Sequence, residues 1–137
     1  MQTIAVVEDH EPFRKCIVND LQKLGYHVVF EAANGLEGIK KIAALKILPD
    51  FILIDINMPE MDGTAFANFI DGKYPSIKKM AISSYIFKRL IEDMFDGGCL
   101  GFIDKANTKD LATALATINK KNFILITPKY QIYINIL

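Results

Sequence analysis

Five short apolar runs, residues 3–7, 27–31, 51–55, 79–83 and 100–103, alternate with segments whose apolar residues recur at helical spacing. No other feature of the chain constrains its fold as much. Short strands separated by helix-length connections cannot pair as hairpins and must run parallel, with the helices as crossovers on both faces of a sheet. The run Phe51-Ile52-Leu53-Ile54 is continuously apolar, as suits a central strand covered on both sides. Pro12 suits the first turn of a helix carrying Phe13, Cys16, Ile17, Leu21 and Leu24 inward and stopped by Gly25. Asn34-Gly35 opens a second helix with Leu36, Ile39, Ala43 and Leu45 on one face, ended before Pro49. Phe66, Phe69 and Ile70 mark a third helix, and Phe87, Leu90, Ile91 and Met94 a fourth, closed by Gly97-Gly98. Thr108 is the expected cap of a fifth, with Leu111, Ala112, Leu115 and Ile118 inward.

Five βα units with right-handed crossovers predict an α/β fold, a doubly wound five-stranded parallel sheet of order 2-1-3-4-5 in a flavodoxin-like three-layer sandwich. The 137 residues suffice for one such domain, expected over 1–120. Residues 121–137 fall outside the five units and read as an apolar extension of two short strands about a turn, expected to pack on this domain or on a second chain. Half the residues, 51%, are apolar, which argues against disorder, and the zero net charge gives no reason to expect direct nucleic-acid binding. The two cysteines, Cys16 and Cys99, stand in apolar surroundings and read as buried reduced thiols, with no zinc-type spacing. No leader-like start is present, and no apolar segment nears the roughly 20 residues of a membrane helix, so a soluble cytoplasmic protein is expected.

In sheets of this order, ligands bind beyond the carboxyl ends of the strands, where strands one and three diverge. Glu8 and Asp9 follow the first run, and Asp55 ends the third. Three carboxylates in one crevice repel each other unless a hard divalent cation relieves them, and Mg²⁺ with oxygen ligands fits that need. The backbone carbonyl of Asn57 is placed to join Glu8, Asp9 and Asp55 as a metal ligand. Asp55 can also act as a nucleophile toward phosphorus and form an acyl phosphate. Phosphoryl transfer needs mainly positioning and charge neutralisation. Lys105, at the end of the fifth run, and Ser83, at the end of the fourth, are placed to contact phosphoryl oxygens.

The stretches Val7-Glu8-Asp9-His10, Asp55-Ile56-Asn57-Met58-Pro59-Glu60-Met61-Asp62-Gly63, Ser83-Ser84-Tyr85 and Gly101-Phe102-Ile103-Asp104-Lys105 closely resemble the receiver domain of two-component response regulators, over residues 1–120. The resemblance implies Asp55 as phosphoacceptor, Glu8 and Asp9 as the acid pair for Mg²⁺, Ser83 as switch hydroxyl, Lys105 as phosphate-binding lysine and Phe102 as the aromatic that moves with the switch. It implies that Asn57 and Tyr85 tune dephosphorylation, that the phosphate comes from a sensor histidine kinase or a phosphotransfer protein, and that no chemistry occurs beyond self-phosphorylation and autodephosphorylation. A second copy of the chain is an expected partner, through the face of helix four, strand five and helix five or through the extension. A narrower likeness, on Asp9-His10-Glu11-Pro12-Phe13-Arg14, Ala33-Asn34-Gly35, Asn122-Phe123 and Thr127-Pro128, is to receivers of LuxR-type regulators, whose helix-turn-helix output is not in this sequence. Three residues depart from the family pattern. Ala106 follows Lys105 where Pro is frequent, so a trans bond is expected, since cis before Ala costs about 3–4 kcal/mol. Asp104 replaces an apolar residue, and Leu100 stands where a polar residue is common and suggests a contact surface.

Other readings compete on the same residues. An aspartyl-phosphate hydrolase of the haloacid dehalogenase type needs a second Asp two residues past the nucleophile, where this chain has Asn57. A flavin-binding domain needs a hydroxyl- or glycine-rich phosphate loop, where this chain has Glu8-Asp9-His10-Glu11. A receiver fold kept only as a protein-interaction module, left from a truncated LuxR-type regulator, has no need for the whole set of acids, Ser83 and Lys105.

Overall fold

The computed structural model describes residues 2–58, 61–118, 122–127 and 131–135. The chain forms β1 (Thr3–Val7), α1 (Glu11–Lys23), β2 (His27–Ala32), α2 (Gly35–Ala43), β3 (Phe51–Asp55), α3 (Gly63–Lys73), β4 (Lys78–Ser83), α4 (Lys88–Asp96), β5 (Gly101–Asp104), a 3₁₀ segment (Lys105–Asp110), α5 (Leu111–Thr117), β6 (Asn122–Ile126) and β7 (Gln131–Asn135). One sheet of seven strands runs β2-β1-β3-β4-β5-β6-β7. The first five strands have the order read from the sequence. Both strands of the extension join the same sheet, β6 parallel to β5 and β7 antiparallel to β6. The turn expected between β6 and β7 lies outside the described residues.

Strand alternation sorts the core into two layers, because successive side chains point to opposite faces. Ile4, Val6, Phe51, Leu53, Met80, Ile82, Ile103, Ile124 and Ile126 pack with Ile17, Val18 and Leu21 of α1 and Leu111, Ala114 and Leu115 of α5. Ala5, Val7, Ile52, Ile54, Ala81, Phe102 and Phe123 pack with Ile42 of α2, Phe66, Ala67 and Ile70 of α3 and Met94 of α4. Both faces of β3 are therefore buried, which is why its sequence shows no polar alternation.

The helix assignments explain the crossovers. With α1 on one face and α2, α3 and α4 on the other, the first four connections share one hand, as the right-handed rule requires. The fifth, β5–α5–β6, has the opposite hand, because α5 lies on the α1 face while β6 continues the sheet outward. Burial accounts for the exception. Without α5, only α1 would cover that face, and Met80, Ile82 and Ile103 would lie open to water.

Helix starts follow side-chain caps. The Nδ1 of His10 accepts from the N–H of Phe13 at 3.3 Å, Asn34 Oδ1 from Glu37 at 2.9 Å and Asp62 Oδ1 from Ala65 at 2.8 Å. Glu37 reaches back past the cap to accept from the N–H of Ala33 at 3.3 Å. Several sequence expectations need correction. Cys16 is exposed and only Cys99 is buried, because the inward stripe of α1 runs through Ile17, Val18 and Leu21; Leu24 is exposed for the same reason. On α2 the buried positions are Gly35, Gly38 and Ile42, while Leu36 and Ala43 are exposed. The glycines let the helix approach the next layer closely. A Cβ on Gly38 would stand 3.0 Å from the Phe66 ring, which a pattern of large apolar residues cannot reveal. Thr108 does not cap α5; it sits inside the 3₁₀ segment, whose start is capped by Asp104 accepting from the N–H of Ala106 at 2.8 Å. Leu100 is partly buried against the α1-side core, and its backbone joins β4 to β6 through the bonds Leu100 N to Lys79 O at 2.8 Å and Ile124 N to Leu100 O at 3.1 Å. The peptide bonds of the described residues are trans, that before Ala106 included.

Two substitutions test the packing. Phe123 is buried and meets Phe95 edge to face at 5.4 Å. Phe123→Ala is expected to cost about 3–5 kcal/mol and lower Tm by roughly 10 °C or more; an unchanged melting curve would mean that β6 is not docked on the core. A Cβ on Gly63 would stand 2.5 Å from the carbonyl oxygen of Asp55 and 2.5 Å from Ile56 Cα, both backbone atoms that cannot turn aside. Gly63→Ala is expected to destabilise by about 1–3 kcal/mol. Gly72→Ala in the same helix, with nothing within 4 Å of the added carbon, serves as the control and should be neutral or stabilising.

Candidate functional site

β1, β3, β4 and β5 end at the same sheet edge because the registers of neighbouring strands align. Val7 pairs with Ile54, Asp55 with Ile82 and Ser83 with Asp104. Residues just past each strand end therefore meet: Glu8 and Asp9 after β1, Asp55 closing β3, and Lys105 after β5. Carboxylate oxygens of Glu8, Asp9 and Asp55 all lie within 4.8 Å of one another. The Lys105 ammonium stands 2.6 Å from Glu8 Oε1 and 3.6 Å from Asp55 Oδ2. Glu8 and Asp55 are buried, whereas Asp9 is exposed at the mouth. Asp55 Oδ1 accepts from the N–H of Asn57 at 3.3 Å, and Glu8 Oε2 from the N–H of His10 at 3.3 Å.

Burial first, and then the neighbouring Glu8 and Asp9 carboxyls, push Asp55 up to about 9, with the Lys105 charge opposing them. Asp9 moves the other way. Partial burial works against its ionisation, but hydrogen bonds with Asp55, Glu8 and its own backbone N–H, and the Lys105 charge, outweigh that and hold it below the ordinary carboxylate range. One lysine does not neutralise three acids, so Asp55 retains a proton. Glu8 Oε1 and Asp55 Oδ2 are buried acceptors with Lys105 as ion-pair partner but without a hydrogen bond among the described residues. Buried oxygen acceptors short of donors, in a cluster short of positive charge, fit a hard divalent cation.

The other residues expected at the site stand at different distances from this centre. Ser83, fully buried at the end of β4, is turned into its own loop: its hydroxyl donates to the carbonyl of Tyr85 at 3.0 Å and accepts from the N–H of Tyr85 at 3.0 Å. The side chain of Tyr85 is exposed. Phe102 is fully buried in the layer under α3 and α4, on the strand position paired with Ala81. Asn57 is exposed and touches Asp55 through its own N–H. Pro59 and Glu60 lie outside the described residues. Asp104 neither pairs with Lys105 nor stands free, since it caps the 3₁₀ segment that carries the lysine away from β5.

Two further neighbours went unread in the sequence. Phe13 lies under Lys105, whose ammonium is 4.7 Å from the ring centroid, and Arg14 donates to the Glu8 carbonyl at 2.8 Å. Both stand in the first turn of α1, which Pro12 and the His10 cap place beside the end of β1. Phe13 looks like one more core residue by periodicity. The signal that could have found both is position, since the first turn after an acid pair at a strand end must border the acids.

A family model described as "Response regulator receiver domain" matches residues 4–116. The chain is 36% identical over 105 residues to the chemotaxis protein CheY of Listeria monocytogenes, covering 77% of this chain and 87% of that one. It is 35% identical over 114 residues to the response regulator protein VraR of Staphylococcus aureus, covering 82% of this chain but only 54% of VraR. Among solved structures, the signal receiver domain of the putative response regulator NarL from Mycobacterium tuberculosis superposes with a TM-score of 0.77 at 28% identity, over 84% of this chain and 93% of that one.

The raised Asp55 pKa has a consequence for stability. Between the ordinary value of 3.8 and about 9, the unfolded chain ionises Asp55 while the folded chain holds its proton, so the metal-free fold loses stability as pH rises through that window. Asp55→Asn removes the titration. In chelator, the variant should melt above wild type at pH 8, with the difference shrinking toward pH 5. Added Mg²⁺ should raise the wild-type Tm at pH 8 far more than that of Asp55→Asn. A pH-independent difference between the two proteins would contradict the assigned environment of Asp55.

Proposed function

The chain belongs to the response regulator receiver family, and from that premise we propose that Asp55 is its phosphoacceptor, in a cytoplasmic switch charged by a sensor histidine kinase or a phosphotransfer protein. The observation that carries the reading is the cluster of Glu8, Asp9 and Asp55 with Lys105 bridging Glu8 and Asp55 at 2.6 and 3.6 Å. Glu8, Asp9, Asp55 and the backbone carbonyl of Asn57 would hold Mg²⁺, which supplies charge neutralisation for the phosphoryl oxygens and for ionised Asp55. An Asp55 carboxylate oxygen attacks the phosphorus of a phosphohistidine as the P–N bond breaks, and the leaving imidazole takes up a proton. Lys105 exchanges part of its pairing with Glu8 for a phosphoryl oxygen. The chemistry of such a switch is its own phosphorylation and the hydrolysis of the aspartyl phosphate. Asn57, whose N–H donates to Asp55, and Tyr85, two residues past Ser83, would set the rate of that hydrolysis.

Ser83 supplies the switch. Its hydroxyl is held by the Tyr85 backbone, and donating to a phosphoryl oxygen means giving up the Tyr85 carbonyl. The segment 84–87 must then shift, and it carries the exposed Tyr85 and Phe87. Phe102, buried beside Ala81 on the neighbouring strand, would repack as Ser83 turns. A new charge-assisted bond of this kind biases two arrangements of one loop.

The partner face follows from the sheet. β5 is paired on both sides, by β4 and β6, so a second copy docking on the α4–β5–α5 side would meet α4, with exposed Phe87 and Phe95 beside it, and the outer strand β7. A module kept only for protein interaction would carry the cost of burying Asp55 and Glu8 beside Asp9 with nothing in return, and the intact cluster favours a working phosphoacceptor.

Incubation with a small-molecule phosphodonor and Mg²⁺, followed by intact-mass measurement, should show a single phosphoryl adduct. The adduct should be absent in Asp55→Ala and after chelation, and Lys105→Ala should slow its formation at least about 10-fold, as expected on losing a preorganised cation at the transferring group. An adduct that persists in Asp55→Ala would remove the assignment.

A further inference from the structure

Arg14 joins the end of β1 to β2. Its Nη1 donates to the backbone carbonyl of Glu8 at 2.8 Å, and its Nε lies 3.2 Å from Glu31 Oε1. Its side chain is only 13% exposed, so the guanidinium is largely withdrawn from water. Glu31 is in turn held by Lys15 at 3.2 Å. The Glu8 carbonyl lies past the last β1 residue that pairs in the ladder, while the Glu8 N–H still donates to the carbonyl of Ala32 at 2.9 Å. That carbonyl belongs to the peptide joining Glu8 to Asp9. Holding this peptide fixes ψ of Glu8 and φ of Asp9, and so the aim of the Asp9 side chain relative to Glu8 and Asp55.

We propose that Arg14 is a positioning residue for the metal pair: its guanidinium, braced by Glu31, fixes the Glu8–Asp9 peptide so that both carboxylates converge on Asp55. The inference rests on the reading of Glu8, Asp9 and Asp55 as a Mg²⁺ site. Arg14 touches neither the carboxylates nor the phosphorylated atom, so its effect passes through the backbone. Lysine cannot replace it, because a single ammonium cannot span the carbonyl and Glu31 in the planar two-point arrangement of a guanidinium.

The sign of the effect separates this role from the alternatives. A cation beside three acids repels Mg²⁺, so if Arg14 acted only by charge its removal would tighten Mg²⁺ binding. If it only stabilised the fold, Tm would drop and Mg²⁺ affinity would stay. A positioning role weakens Mg²⁺ binding although a positive charge has been lost.

Calorimetric titration of MgCl₂ into the full chain reads this directly, without phosphorylation. Arg14→Gln and Arg14→Lys should each bind Mg²⁺ about 10-fold or more weaker than wild type, the usual cost of losing an outer-shell partner. Glu31→Ala, which removes the brace and leaves the guanidinium in place, should fall between them and wild type. The double variant Arg14→Gln/Glu31→Ala should bind no more weakly than Arg14→Gln, because the two residues act through one path. Equal or tighter binding in Arg14→Gln overturns the proposal. Should Arg14→Gln not fold, wild-type affinity in both Arg14→Lys and Glu31→Ala overturns it instead. Wild type that binds no Mg²⁺ defeats the underlying metal assignment, a result distinct from variants that match a binding-competent wild type.

Discussion

The structure depends on the repulsion between three carboxylates gathered at one point, two of them buried. Asp55 closes the most deeply buried strand of the sheet, and Glu8 and Asp9 meet it from the adjacent one. Left alone, the arrangement is unfavourable enough that Asp55 holds a proton up to about 9. Such a site is strained toward whatever brings positive charge, and a receiver is charged by a cation together with a phosphoryl group. The fold holds its acids in a state that binding relieves.

Lys105 and Ser83 mark two stages of that relief. Lys105 already bridges Glu8 and Asp55, with the ring of Phe13 beneath its ammonium. Ser83 is committed elsewhere, to the backbone of Tyr85. In the function proposed above, the lysine meets an incoming phosphoryl group directly, whereas the serine must first leave the Tyr85 backbone. The two residues stand at the ends of neighbouring strands, β5 and β4, and Phe102 lies buried in the core on the β5 position paired with Ala81. The 3₁₀ segment capped by Asp104 sets the direction in which Lys105 leaves β5, at a position where the family often uses proline.

Much of the fold was legible in the residues. Alternating strand and helix periods gave the five units and their order, because burial on two faces leaves few ways to arrange them. The meeting of the acids with Lys105 was legible, since strand ends at a switch point must come together. Helix phases were less so. Cys16, Leu24 and Leu36 are exposed where periodicity placed them inward, while Gly35 and Gly38 are buried by close approach to Met61 and Phe66. Periodicity identifies an apolar stripe but not which flank of it meets the next layer, and a glycine contact leaves no hydrophobic signal. The cap of the last helical stretch was missed because Asp104 acts as a cap at a site read only as a departure from a pattern.

By itself the sequence determined which residues carry charge, which segments alternate, and hence the class of fold and the identity of its chemical edge. These follow from local preferences and from the need to bury apolar surface, both written in residue types. Only the tertiary structure decided the rest. It placed residues 122–126 beside β5 with a crossover of opposite hand, because an uncovered face of the sheet needed α5. It bent the Ser83 hydroxyl toward Tyr85, and it set Arg14 against the Glu8 carbonyl through a bond of 2.8 Å. Backbone carbonyls are common to every residue, so a side chain that binds one is invisible in a sequence and appears only when distant segments come together.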